Sequence, residues 1–294
     1  MKQAWDIKVI NAGEKVRGPP RVPTSAELKF YENYLKEAKN LSDEKITFLR
    51  KSAGERKELE KNALILGATP ELRDLVLDSG FNCYSVELNK DVAEKLSEIM
   101  NNKGHPRDKV IIGDWLEMDK KKKFFDFFDI VLGDGSFINL ATKEDNEKLA
   151  RILSKVIVKG GYFVTRQVVW TDKFKPMQKN KLIEAFRKKE ICWQDLFIEL
   201  RFWTYKKECL NNKTYQYDAK KNFELINTDF KKGLLNKEEY ELLTTFRNNI
   251  INTIYPEKEF ISLIEKNNFK HINELVDKEF KYCNYLKMFV FKKK

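Results

Sequence analysis

Five short apolar runs, separated by stretches of helical periodicity, limit what this chain can fold into more than any other feature. ALILG (from Ala63), CYSVEL (from Cys83), KVIIGD (from Lys109), FFDIVLGD (from Phe127) and GYFVTR (from Gly161) each read as a strand. Between them lie PELRDLVLDSG (from Pro70), a helix with Pro70 in its first turn and Gly80 closing it, and helices over about 91–100 and 143–156. Strands that are apolar throughout, alternating with helices, predict a parallel sheet covered on both faces.

The flanks divide the chain further. Residues 1–58 form an N-terminal unit: an extended arm carrying Pro19, Pro20 and Pro23, then two helices. In the first helix Ser25 is the expected N-cap, with Leu28, Tyr31, Leu35 and Ala38 at helical spacing; the second runs from about 42 to 52. Residues 59–166 carry the strand–helix alternation. Residues 167–255 break it, reading as a mainly helical insertion dense in aromatics whose spacing suits a small core of its own. Residues 256–294 restore it with a helix from Glu257 and the strands FKHINEL and YLKMFVFK. The predicted class is therefore α/β, a Rossmann-like sheet of seven mostly parallel strands with a helical insertion after the fifth.

In an open parallel sheet, ligands bind beyond the carboxyl ends of the strands. After the first strand comes Gly67-Ala68-Thr69-Pro70-Glu71: a glycine for a tight turn, then a threonine able to cap the helix. The second strand ends at Glu87-Leu88, near the spacing at which an acid reaches a ribose diol. The third ends at Asp114-Trp115, an acid beside a flat ring, suited to an adenine amine and face. The fourth ends at Gly133-Asp134-Gly135. Each acid also has a plainer reading as a strand-end or capping residue, and Trp115 as a packing residue.

Taken together these positions resemble the class I S-adenosylmethionine-dependent methyltransferases, over roughly residues 60–166 and 256–294. The resemblance implies S-adenosyl-L-methionine as cofactor, held by Gly67, Ala68, Thr69, Glu71, Glu87, Leu88, Asp114, Trp115 and Asp134, and a last strand that runs antiparallel. It makes Asp134 the first candidate for a catalytic or substrate-orienting role. Arg166, at the end of the fifth strand, is the candidate for an anionic substrate group, with Trp170 beside it at the start of the insertion. One glycine remains of the three usual in the cofactor loop. That argues against a dinucleotide, because Thr69 and Pro70 obstruct a pyrophosphate and Glu71 repels it. A sulfonium cofactor without phosphate tolerates such a loop.

Composition narrows the function. No apolar run approaches the roughly 18 residues of a membrane span, and the N-terminus lacks an apolar signal core, so a cytoplasmic protein is expected. Four scattered cysteines and two histidines predict neither a disulfide framework nor a metal site. The charge of +11 keeps RNA in view as a partner, although lysine is spread along the whole chain. The expected activity is methyl transfer to a small molecule, with the insertion as a lid; the alternatives are an RNA methyltransferase and a non-catalytic scaffold of the same fold.

Overall fold

Along β1 (Asn62–Leu66) Ala63 and Ile65 belong to the core on one side of the sheet and Leu64 and Leu66 to the core on the other; all four are buried. The computed structural model describes residues 18–41, 61–172, 175–245 and 250–294. Beside β1 lie β2 (Asn82–Glu87), β3 (Asp108–Ile112), β4 (Phe128–Asp134) and β5 (Ile157–Val168). A short ribbon, β6 (Gln216–Asp218) with β7 (Ile251–Thr253), stands apart, and β8 (Phe269–Leu275) and β9 (Leu286–Lys293) complete the main sheet. Its order is β3-β2-β1-β4-β5-β9-β8. Strands β1 to β5 pair in parallel, and β9 runs antiparallel to both β5 and β8, so it alone is reversed. The expected seven-stranded, mostly parallel Rossmann-like sheet is the one observed.

Helices α1 (Ser25–Lys39) and α2 (Pro70–Asp78) bring Tyr31, Leu35, Leu72 and Val76 against Ile65, Leu132 and Val164. α3 (Lys90–Glu98) lies against β2 and β3. On the opposite face α4 (Lys143–Val156) packs Leu149, Ile152 and Leu153 against Val131 and Phe163. The expected helix over 42–52 lies outside the described residues. Two local expectations are corrected. Thr24, not Ser25, caps α1: its hydroxyl accepts from the Glu27 N–H, and Glu27 returns a bond to the Thr24 N–H. Thr69 holds the N-cap position of α2, but its side chain makes no capping bond.

Gly160 and Gly161 do not start β5; they lie inside it, where the register against β4 shifts between Phe128 and Ile130. A Cβ on Gly161 would stand 2.7 Å from Ile157 Cγ2 and 2.8 Å from the Asp129 carbonyl. Gly161→Ala is therefore expected to cost about 1–3 kcal/mol, read as a lower urea midpoint with an unchanged slope.

The insertion comprises α5 (Lys179–Arg187), α6 (Trp193–Ile198), α7 (Lys206–Cys209), α8 (Ala219–Lys231) and α9 (Lys237–Thr244), and the chain re-enters the sheet through α10 (Glu257–Glu265). Its aromatics do form a core, with Trp170, Phe202, Trp203, Tyr217 and Phe223 buried together. The β6/β7 ribbon was not expected, since three residues per strand carry no readable period. It ties the insertion to the loop after β4: Asn252 Nδ2 donates to the Ile138 carbonyl at 3.1 Å and Thr253 Oγ1 to the Leu140 carbonyl at 2.6 Å.

A π-helical turn, Glu199–Trp203, follows α6 and buries Glu199 to 1% exposure, with the Met177 N–H donating to it at 3.0 Å. Burial, reinforced by the nearby Asp195 carboxylate, pushes the Glu199 carboxyl up to about 7. Below the ordinary value of 4.5 the group is protonated in both folded and unfolded chains, so no penalty arises. Between there and about 7 the unfolded chain ionises while the native carboxyl resists, so stability falls as pH rises and levels off above that window. Relative to Glu199→Gln, the protein is expected to lose on the order of 2–3 kcal/mol across it, measured by urea unfolding at several pH values.

Candidate cofactor and acceptor site

Strand register brings the sequence-selected residues to one rim of the sheet. Leu66 pairs with Val86 and with Gly133, Glu87 pairs with Ile112, and Asp134 pairs with Arg166. Gly67, Glu87, Asp114, Asp134 and Arg166 therefore all sit at or just beyond the carboxyl ends of adjacent strands.

At the β1–β2 end, Gly67 has φ +108°, a conformation that side chains rarely adopt. A Cβ there would stand 3.9 Å from both Glu87 Oε2 and the Trp115 ring, so the acid and the indole wall the space over this glycine. The Val86 carbonyl holds the arrangement by accepting from the Gly67 N–H at 2.9 Å and from Trp115 Nε1 at 2.6 Å. Glu87 is 8% exposed; burial pushes its carboxyl up, opposed by the Asn89 and Leu88 N–H groups, and Asn89 donates to Oε1 at 3.0 Å. Asp114 Oδ1 accepts from the Leu116 N–H at 2.9 Å and caps the 3₁₀ turn Trp115–Lys120. Ala68 is buried, while Thr69, Glu71 and Leu88 are half-buried around the same loops. These residues fit an adenosine: a buried acceptor-only carboxylate suits a pair of hydroxyl donors, and a fixed flat ring stands beside it.

At the β4–β5 end the structure departs from expectation. All five Arg166 N–H donors are already used. Nε and Nη2 grip Asp134 at 2.7 and 3.0 Å, Nη1 reaches Glu27 Oε2 at 2.9 Å and the Val22 carbonyl at 3.1 Å, and Nη2 reaches the Pro20 carbonyl at 2.9 Å. Burial works against this cation, but Asp134 and Glu27 outweigh it and hold its pKa above the ordinary value. Glu27 moves the other way: burial, with Asp134 nearby, raises its carboxyl although Arg166 and the Thr24 N–H oppose the shift. The asymmetry is physical, since one guanidinium serves two carboxylates. Arg166 therefore has no donor left for an anionic substrate, and it organises the N-terminal segment instead. Asp134, gripped at both oxygens, is held in a fixed orientation, which suits an orienting role. Trp170 is corrected as well: its ring lies 4.0 Å from that of Trp203 with Lys206 Nζ above it at 4.1 Å, inside the insertion core. Its main chain pins the two ends of the insertion together, bonding to the Tyr255 carbonyl and the Glu257 N–H.

A cavity of about 190 Å³ opens beside Asp134, walled by Ile138, Val168, Phe197, Phe202 and Leu286, with Pro20 and Arg21 from the N-terminal segment. The sequence reading missed these walls and missed Glu27. The Thr-Ser-Ala-Glu spacing of a capping box (Thr24 to Glu27) was a readable signal for the latter; for the walls there was none.

No protein-family model and no curated protein matches the sequence. Among solved structures, one from Rhodobacter sphaeroides named for zinc-dependent alcohol dehydrogenases aligns over 98% of this chain and 99% of its own, at 13% identity and TM-score 0.56. A SAM-dependent methyltransferase from Methanosarcina mazei aligns over 81% of this chain and 94% of its own (14% identity, TM-score 0.47). The CcbJ methyltransferase from Streptomyces caelestis aligns over 80% and 90% (10% identity, TM-score 0.47). At such identities the likeness is one of fold. Strand order and the single reversed strand give the seven-stranded, mostly parallel Rossmann-like sheet that these structures share in fold alone.

Replacing Arg166 tests its assignment. Arg166→Met strands two carboxylates, one of them fully buried, and is expected to cost about 3–5 kcal/mol in urea unfolding. Substituting Glu27→Gln alongside Arg166→Met should recover part of the loss, a coupling that a substrate-binding arginine would not show.

Proposed function

We propose that the protein is an S-adenosylmethionine-dependent methyltransferase whose acceptor is a compact, largely apolar small molecule bound in the cavity beside Asp134. The observation that carries this reading is the adjacency of two complementary spaces on one rim. One is an adenosine-shaped setting of Gly67, Glu87, Asp114 and Trp115; the other is a mostly apolar cavity, open to solvent and flanked by α6 and the N-terminal segment. The cofactor supplies an electrophilic methyl group when bound. The chain's own part is to hold the ribose through Glu87, to flank the adenine with Asp114 and Trp115, and to exclude water with Phe197 and Phe202. Asp134, fixed by Arg166, orients the acceptor. Insertion and N-terminal segment together act as the lid, separate in role from the sheet.

About 190 Å³ is below the roughly 300–1,000 Å³ of pockets for drug-sized ligands, which favours a small acceptor over a large one. At its edge Asp134 and Arg166 are already paired with each other, so neither is free to bind a charged acceptor group.

Calorimetric titration with S-adenosylhomocysteine tests the cofactor half. Micromolar binding is expected, and Glu87→Ala should weaken it about tenfold to a hundredfold through lost charge-assisted hydrogen bonds. Equal affinity in the variant would place the site elsewhere. Phe202→Trp, directed into the acceptor cavity, is expected to leave that affinity unchanged while abolishing transfer of labelled methyl to any acceptor found by screening small molecules.

A further inference from the structure

Of the four large apolar residues exposed among the described residues, Val110 (37%) and Ile112 (48%) lie on one strand. Val110 and Ile112 belong to β3, the edge strand, which among the described residues pairs only with β2. The pairing fixes which main-chain groups are open. Arg107 gives its carbonyl to Cys83 and Gly113 its N–H to the Glu87 carbonyl, so by parallel alternation Lys109 and Ile111 also point inward. Val110 and Ile112 therefore turn their N–H and C=O groups away from the sheet, on the strand whose side chains are uncovered. An open, apolar edge is a template for another strand, and natural sheets ordinarily block it.

Charge decides what the edge can accept. Lys109 lies over Tyr84, with Nζ 4.8 Å from the ring centroid. Tyr84 packs edge-on against Phe124, and Lys121 and Lys123 flank that same Phe124 ring at 6.0 and 5.3 Å. The acids in this stretch are engaged with other lysines, Glu117 with Lys120, Asp119 with Lys155 and Asp126 with Lys293, while Lys121, Lys122 and Lys123 have no carboxylate partner among the described residues. A second copy pairing across this edge would bring like-charged lysines together. Stacking along a nucleic acid takes successive exposed rings, whereas of Tyr84, Phe124 and Phe125 only Phe125 is exposed.

We propose that the β3 edge is a docking site for an extended, acidic segment of a partner protein, which adds a strand beside Val110 and Ile112 while its carboxylates meet Lys109 and Lys121–Lys123. Main-chain pairing supplies affinity and the lysines supply the selection. This inference is independent of methyl transfer.

The test uses the full chain and a displayed library of peptides about eight residues long, with apolar residues alternating with acidic, neutral or basic ones. Acidic members are expected to be enriched. The best of them, resynthesised with N-methyl groups on the edge-facing amides, should bind about tenfold more weakly. Lys121→Glu with Lys123→Glu, both on the surface and safe for folding, should weaken it similarly, and Val110 and Ile112 amides should gain protection from hydrogen exchange. Equal enrichment of neutral or basic peptides, no enrichment at all, or indifference to N-methylation would overturn the proposal. So would an oligonucleotide whose binding the charge reversals abolish, or concentration-dependent self-association that they abolish; these outcomes assign the edge to nucleic acid or to a second copy.

Discussion

One buried guanidinium organises the functional end of this molecule. Arg166 projects from the end of β5 and bonds to the end of β4, to α1 and to two carbonyls of the segment before α1. A buried ion pair contributes little net stability once desolvation is counted, but removing one partner is costly. What Arg166 provides is placement. Tyr31 reinforces it, donating to the Gly133 carbonyl at 2.6 Å and accepting from the Arg166 N–H at 3.1 Å, so α1 is joined to two strand ends through both main chain and side chain. The cavity wall contributed by Pro20 and Arg21 exists because these bonds exist.

At the other end of the rim, fixation comes from a different source. The loop after β1 has one glycine, and the Val86 carbonyl gathers both the Gly67 N–H and the Trp115 indole. An indole locked by its own hydrogen bond is a preorganised wall, and preorganisation substitutes for loop shape when the ligand carries no pyrophosphate to cradle. That arrangement makes the glycine-poor sequence and the adenosine-shaped setting compatible.

The sheet was legible because its signal is periodic and local. Runs such as ALILG and FFDIVLGD, each followed by a loop with an acid or a glycine, fixed both the strands and the rim on which Gly67, Glu87, Asp114 and Asp134 lie. Roles set by long-range partners were not legible. Nothing near Arg166 in the chain announces that Glu27, 139 residues away, will meet it. Nor does the spacing of Trp170 reveal that Trp203 rather than a ligand covers its ring. The β6/β7 ribbon escaped for the opposite reason, being too short for any period to show.

Two buried arginines differ in how completely their donors are satisfied. Around Arg166 every guanidinium donor has an acceptor. In the insertion, Arg201 is 4% exposed with one bond from Nη1 to Asn222 and no partner for Nε, and burial pushes its pKa down to about 10. The Phe223 ring, 4.0 Å away, gives that charge part of what a carboxylate would. Glu199 adds a second poorly compensated ionisable group nearby. A segment that buries Arg201 and Glu199 in this way gains less from folding than it would with both charges fully paired.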